Sequence, residues 1–380
     1  MMRLFATCAR GLEPILAREL EGIGAAAITP GRGGVAFAGR MDTIYKANLW
    51  LRTAVRVLRP VLEATVRDPD ELYDAVRSVD WAEHMSPDHT LAVDCNVKNS
   101  GLTHSQYAAR RVKDAICDQF VDKFGRRPSV DVDTPAVGLN LHVSHDNAVL
   151  SLDSSWHSLH KRGYRPVQVR APLNEALAAG LLLHMGYDGS RPLFDPLCGS
   201  GTFAVEAAWI ATHRPPGLTR KWFAFYGWPG FDRGDWAAVK DAARRGVKST
   251  LPAPIGGSDI RADAVQHATE NARAAGVGHL LTFDQRDVRM ARPPGDPPPG
   301  VSGLVVCNPP YGERLGDEAD LLELYRTLGD VVRAHWVGWE LAVFTADGPL
   351  ARQIRIPARP RTSTPFFNGS INCRLWQFGA

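Results

Sequence analysis

From about residue 173 onward the chain switches between two hydrophobic periods so regularly that few folds stay open. Helical spacing over 173–185, 202–213, 261–275 and 319–335 is interrupted by short apolar runs at 191–195, 254–259, 280–285, 303–307 and 339–346. Strands separated by helices cannot pair through hairpins. Each must return after a crossover, which produces a parallel sheet covered on both faces. The pattern predicts a doubly wound α/β sheet. The last segment, TSTPFFNGSINCRLWQFG, alternates around an Asn368-Gly369 turn, so the final strand is expected to run antiparallel.

A chain of 380 residues is long for one core. Residues 1–60 read as a small α/β unit: strand LFATCARG, helix GLEPILARELEGIG, strand GGVAFAG, a helix at 41–52 and the strand TAVRVLRPVLEATV, which runs past the boundary. Residues 61–155 read as a second unit. It has a helix in DELYDAVRSVDW, a strand in HTLAVDCNVKN and a long helix in SQYAARRVKDAICDQFVDKFG. A strand SVDVDTPA follows, then a hairpin LNLHVSHDNAVLSLD turning at Asp146-Asn147. In the long helix, Ala108, Val112, Ala115, Ile116 and Phe120 form an apolar stripe, with Arg110, Arg111 and Lys113 off it. That basic back is a solvated face or a phosphate-contacting surface, and charge alone does not choose. Residues 156–170 form a basic linker with Lys161, Arg162, Arg165 and Arg170 and no acid, and 171–380 form the third region. Within that region 214–253 is an aromatic, glycine- and proline-rich insert, helical in part, and RPPGDPPPG is a loop.

The net charge of +3 permits a polyanionic partner without demanding one. Six scattered cysteines with no C-x-x-C pair argue against zinc and against a disulfide framework, so a reduced cytoplasmic protein and no metal are expected. Arg10, Glu13, Arg18 and Glu19 stand where a signal peptide would need an apolar core. The longest apolar run, around 176–183, is too short to span a bilayer, so no membrane role is expected.

Chemistry concentrates at the ends of the predicted strands. PLFDPLCGSGTFAVEAAWIA places Asp195 after a strand, then a Gly199-x-Gly201 turn, then a helix. Glycines let a ligand approach the backbone, and the helix start offers unpaired N–H groups. The run from Gly199 to Ala204 fits a dinucleotide fingerprint, but that fold wants an acid about 20 residues later at an adjacent strand end. The acid ending the next strand is Asp259. An acid within the first turn would repel a pyrophosphate and suits a cationic or zwitterionic ligand, such as the amino-acid end of S-adenosylmethionine. Asp195, Asp259 and Asp287 fall at carboxyl ends of successive strands, where open parallel sheets bind ligands. LVVCNPPYGERLG ends a fourth strand in two prolines, which continue neither strand nor helix.

Taken in order, DPLCGSGTF, GSDI, QRDV and CNPPYGERLG resemble the motifs of class I S-adenosylmethionine-dependent methyltransferases acting on exocyclic or amide nitrogen. With SQYAARRVKDAICDQF, LHKRGYRP, APLNEALAAGLL, GSGTFAVEAAWIATHRPPGL and FNGSINCRL, the chain is similar from about 40 to 378 to the THUMP-containing ribosomal RNA guanine-N2 methyltransferases, the RlmL family. The resemblance implies a ferredoxin-like region at 1–60, a THUMP RNA-binding domain at 61–155 and a Rossmann-like methyltransferase domain at 171–380. It implies S-adenosylmethionine as cofactor and RNA as partner. The best-known members continue into a second methyltransferase, and a shorter tRNA-modifying relative has a similar layout, so either RNA class fits. By position, Asp195, Gly199 and Gly201 would form the methionine-side turn, Asp259 would accept from the ribose hydroxyls, and Asp287 would lie by the adenine amine. Leu173 and Asn174 would close the methionine end.

The acceptor edge follows from the same resemblance. Asn308 and the Pro309 carbonyl can accept from an amine, Pro309 and Pro310 fix the geometry, and Tyr311 can stack on a flipped base. Cys307 precedes the motif and reads as a packing residue, while Arg314 can reach a phosphate or pair with Glu313. Asn-Pro-Pro-Tyr also serves enzymes that methylate a glutamine amide or DNA adenine, and a fold that has lost catalysis would serve as an RNA-binding or assembly factor. The N-terminal half favours RNA, read largely by shape and phosphate contacts, with Arg110, Arg111, Lys113, Lys161, Arg162, Arg165 and Arg314 as candidate contacts.

Overall fold

The computed structural model describes residues 1–165, 173–311, 318–354 and 362–379. They form two compact units. The first comprises Met1–Cys8, Ala17–Leu159 and Arg220–Lys240, and the second Ala9–Leu16, His160–Thr219 and the chain from Asp241.

The first unit is built on eight strands: β1 (Met2–Cys8), β2 (Ala26–Gly31), β3 (Gly34–Gly39), β4 (Ala54–Thr65), β5 (Thr90–Lys98), β6 (Ser129–Val130), β7 (Val137–Ser144) and β8 (Asn147–Asp153). Their order is β2-β3-β1-β4-β8-β7-β5-β6. β4 unites the sheet, because Leu58 pairs with Phe5 of β1 on one side and with Asp153 of β8 on the other. It runs straight through residue 60. Pro60, which lacks an N–H for the ladder, sits where the β8 register slips. β7 and β8 turn at His145-Asp146, one residue earlier than the sequence reading placed it. Both residues have positive φ (51° and 62°), as a two-residue hairpin loop requires. The expected strand over SVDVDTPA is cut to Ser129–Val130, because the Asp131 carboxylate accepts from Asp133 and Thr134 N–H and turns the chain. β2, short and mostly exposed, has too little alternation to be read from sequence.

Four helices accompany this half of the sequence: α1 (Glu13–Gly22), α2 (Met41–Trp50), α3 (Pro69–Arg77) and α4 (Ser105–Phe124). Asp68 caps α3 by accepting from Asp70 and Glu71 N–H, with Pro69 in the first turn where its missing N–H costs nothing. α4 ends at Gly125, left-handed at φ 70°.

The second unit carries the sheet that positions the site. Its strands are β9 (Leu193–Asp195), β10 (Ile255–Asp259), β11 (Leu281–Gln285), β12 (Gly303–Cys307), β13 (Trp339–Ala346), β14 (Thr362–Asn368) and β15 (Ile371–Phe378), in the order β11-β10-β9-β12-β13-β15-β14. β9 to β13 are parallel, and β15 runs antiparallel to both neighbours, as expected. The remaining helices are α5 (Glu175–His184), α6 (Thr202–Ala211), α7 (Arg233–Arg245), α8 (Ala262–Ala274) and α9 (Glu318–His335). Every residue of β12 is buried, and Val305 and Cys307 share a core with Phe194, Leu341, Tyr325 of α9 and Trp336 just past it. A strand apolar on both faces is what a doubly covered parallel sheet requires. Chain order reverses at β9, which has β10 on one side and β12 on the other, so a crevice opens at their carboxyl ends. No helix among the described residues is long and apolar enough to cross a membrane.

The aromatic insert holds a surprise. Its residues Arg220–Lys240 belong to the first unit. There the Tyr45 ring of α2 meets Phe225, Trp236 and Phe231 at centroid distances of 5.2, 5.6 and 6.0 Å, and its hydroxyl accepts from Asp232 N–H at 2.9 Å. Tyr45→Phe is expected to cost about 1 kcal/mol by leaving that N–H unpaired. Tyr45→Ala is expected to cost about 3–5 kcal/mol by emptying the ring site. Thermal melting of the two variants checks the order.

Candidate functional site

β9 ends in Asp195, 2% exposed, whose carboxylate accepts from Leu197 N–H at 3.1 Å. Burial raises its pKa well above the ordinary 3.8; the Leu197 bond works the other way, and the nearby Asp259 charge adds to the rise. The loop after it turns on two left-handed glycines, Gly199 (φ 51°) and Gly201 (φ 77°). A Cβ on Gly201 would lie 3.0 Å from Ala268 Cβ, so that glycine lets α6 close onto α8. A Cβ on Gly199 would meet nothing within 4 Å, which leaves its face open to a ligand.

The loop is laced to the next strand. Asp259 Oδ2 accepts from Gly199 N–H and Oδ1 from Arg261 N–H, both at 3.0 Å, and Cys198 N–H donates to the Ser258 carbonyl at 2.9 Å. Gly257 makes room, since a Cβ there would lie 2.8 Å from Cys198 Cβ. Asp287, past the end of β11, accepts from Arg289 N–H at 2.8 Å and pairs with its guanidinium at 2.9 Å.

On the other side of β9, the register sets Phe194 beside Val305 of β12. Asn308 therefore leaves the same end of the sheet as Asp195. Its Oδ1 is buried and has no hydrogen-bond partner among the described residues. An acceptor left in that state costs about 1–3 kcal/mol, so it calls for a partner. The turn behind it is pinned. Tyr325 of α9 donates to the Pro310 carbonyl at 3.3 Å and shares a 2.6 Å bond with Thr345 of β13. Tyr311 departs from expectation: it is 3% exposed, and its hydroxyl accepts from Asn368 Nδ2 at 2.9 Å. A ring sunk between the turn and the terminal hairpin is an anchor, not a stacking platform. Cys307 is buried as packing, and burial lifts its thiol far above the usual range.

A family model described as the RMKL-like methyltransferase domain matches residues 162–377, more than half of the chain. The chain belongs to the RMKL-like methyltransferase family. The RlmL ferredoxin-like domain matches residues 3–58, and the THUMP domain 66–153. A ribosomal RNA large subunit methyltransferase K/L of Syntrophotalea carbinolica is 44% identical over 99% of this chain and 53% of its own length. A putative RNA methyltransferase of Synechocystis sp. is 40% identical over 98% of this chain and 96% of its own. The crystal structure of SMU.472, a putative methyltransferase complexed with SAH, superposes with a TM-score of 0.89 at 30% identity, covering 99% of this chain and 97% of that one. The chain spans about half the length of the K/L relatives it matches.

In this RMKL-like domain the basic linker turns inward. Lys161 is exposed, but Arg162 is 1% exposed and ion-paired at 3.4 Å with Glu206 of α6, itself fully buried. Tyr164 donates to the same carboxylate at 3.3 Å and sets its ring edge-on to Trp209 at 5.3 Å. Arg165 donates to the Leu173 carbonyl at 2.8 Å and Thr202 Oγ1 at 2.6 Å and lies 3.4 Å from Glu175. Arg162 and Arg165 are thus corrected from RNA contacts to internal braces, because a carboxylate buried on α6 must be paired. Arg165 links Leu173, two residues before α5, to Thr202, the first residue of α6, and Asn174 caps α5 through Leu177 N–H at 3.1 Å.

The candidate RNA contacts on α4 divide. Arg110 is exposed, and Lys113 pairs with Asp114 at 2.7 Å. Arg111 is committed to Asp70 at 2.7 Å and lies over the Tyr73 ring at 4.4 Å. Arg314 lies outside the described residues. Among the described residues no group of three or more His, Cys, Asp or Glu is placed to hold a metal ion.

Asp195 makes a stability prediction with a definite sign. The raised folded-state pKa means the unfolded chain gives up this proton first, so Asp195 destabilises the ligand-free fold increasingly as pH climbs above the ordinary 3.8. Asp195→Asn is expected to melt higher than wild type at pH 7 to 8, with the gain vanishing near pH 4. Melting curves across that range check it.

Proposed function

We propose that this chain is an S-adenosylmethionine-dependent RNA methyltransferase that places its methyl group on the exocyclic N2 of a guanosine in large-subunit ribosomal RNA. The observation that carries the reading is the buried, unpartnered Asn308 Oδ1 at the strand end beside Asp195. The names of the K/L relatives and of the Synechocystis relative support RNA as the class of substrate.

The residues present fit the methyl donor. A buried carboxyl without a basic partner among the described residues suits a cationic amine or sulfonium neighbourhood, so Asp195 would hold the amino-acid end. Gly199 leaves open space for the ligand, and Asp259, 13% exposed at its side chain, would accept from the ribose hydroxyls while holding the loop. Asp287 would reach the adenine amine only with the face that Arg289 does not occupy. Leu173, tied to Thr202 through Arg165, and Asn174, which caps α5, would close the methionine end. When bound, the cofactor supplies an electrophilic methyl group.

The chain's task is then to orient a poor nucleophile, since the N2 lone pair of guanine is delocalised into its ring. Asn308 Oδ1 and the Pro309 carbonyl accept the two amine hydrogens and turn the lone pair out of the ring plane. Pro309 and Pro310 keep both acceptors fixed, and Tyr325 and Tyr311 hold that turn against α9 and β14. Asn308 is no general base, so rate comes from position and electrostatics, with the proton leaving to solvent after transfer.

Asn308→Ala is expected to lower the single-turnover methylation rate by about 100-fold or more while S-adenosylmethionine affinity by calorimetry stays within about twofold. Nucleoside mass spectrometry of separated ribosomal RNA and tRNA, with and without the gene, tests the substrate. Loss of N2-methylguanosine from large-subunit RNA supports the reading; loss from tRNA alone, or no loss, overturns it.

A further inference from the structure

A cleft of about 430 Å³ lies in the first unit, well away in sequence from the strand-end site. Arg110 and Lys113 of α4 line it with Arg56, Val132, Trp156 and His157. Trp156 is its unusual member. The backbone there is left-handed, φ 54°, which a bulky residue adopts only when its surroundings enforce it.

Three groups enforce it here. Trp156 N–H donates to Asp153 Oδ1 at 2.9 Å, its carbonyl accepts from Arg56 at 2.5 Å, and its indole N–H donates to the Val132 carbonyl at 3.1 Å. Asp153 is itself fully buried and paired with Arg56. β7 also yields to the ring: a Cβ on Gly138 would fall 2.6 Å from Trp156 Cε3. The fold thus spends a glycine, a buried ion pair and an unfavourable φ on presenting one indole at a cleft wall. Asp94, the acid in the lining, is paired with Arg56 and Lys113 with Asp114, both at 2.7 Å, so Arg110 sets the sign of the opening, with the Lys113 ammonium shared beside it.

We propose that this cleft receives one unpaired nucleotide of the RNA, its base against the Trp156 ring and its flanking phosphates toward Arg110 and Lys113. An indole beside guanidinium and ammonium groups is the chemistry that holds single-stranded bases by stacking and charge. A paired base would not offer its face, so a duplex is excluded from the ring itself. The inference rests on the RNA reading above and names where an unpaired part of that substrate is held.

The test uses the full chain, fluorescence anisotropy and two probes: a short fluorescein-labelled single-stranded oligoadenylate and an RNA duplex. Trp156→Asn removes the ring with a residue that tolerates left-handed backbone, and circular dichroism verifies its fold. It is expected to weaken oligoadenylate binding about tenfold and leave the duplex nearly unchanged, while Trp156→Phe stays close to wild type. Arg110→Glu is expected to weaken both probes and flatten the salt dependence. A folded Trp156→Asn that binds oligoadenylate like wild type overturns the cleft alone, as does a Phe variant that loses as much as Asn. A wild-type chain that binds neither probe removes the RNA reading and the cleft together.

Discussion

A carboxyl group sealed into the end of a parallel sheet, with one backbone N–H as its hydrogen-bond donor among the described residues, is the constraint around which the second unit is arranged. Asp195 raises the free energy of the ligand-free fold, because burial beside an all-buried β12 disfavours its charge. The same burial that penalises the charge strengthens its attraction for a cation. Asp259 answers a different need: it spends its oxygens on Gly199 and Arg261 N–H and so fixes the loop that Asp195 begins. One carboxylate is left hungry and its neighbour is made structural. That division lets a short Gly-x-Gly turn be both open and rigid.

The acceptor turn obeys the same economy. Asn308 Oδ1 is left without a partner, whereas the groups behind it are all engaged: the Pro310 carbonyl by Tyr325 and the Tyr311 hydroxyl by Asn368. Two unmet polar demands therefore face one crevice from adjacent strands. On α6, by contrast, the buried Glu206 is paired with Arg162.

Much of this was legible in the sequence because it lives in periodicity and in residues with restricted backbones. The strand-helix alternation, the antiparallel last strand and the clustering of Asp195, Gly199, Asp259 and Asn308 at strand ends follow from spacing that tertiary structure does not alter. What escaped is what only packing decides. Tyr325 sits in a helical stripe where its ring reads as core, and nothing local tells that its hydroxyl reaches Pro310. Arg162 and Arg165 look like a solvated run until Glu206 is seen buried on α6. Tyr311 follows two prolines in what reads as an exposed turn, and only the distant Asn368 explains why it is buried. Charge and aromaticity report chemistry but not direction.

The aromatic strap at Arg220–Lys240 bears on how the chain is made. It completes a unit whose sheet strands all lie before residue 154, yet it is translated only after β9 and α6 of the other unit. The first unit thus emerges from the ribosome with its sheet available and the Tyr45 site unfilled. Domains usually fold in the order of synthesis. Here the ring site of the N-terminal unit gains its Phe225 and Trp236 neighbours only once part of its successor has been made. Two regions that are separate by family are thereby interleaved in time, and a nascent chain stalled between β9 and the strap would hold neither unit complete.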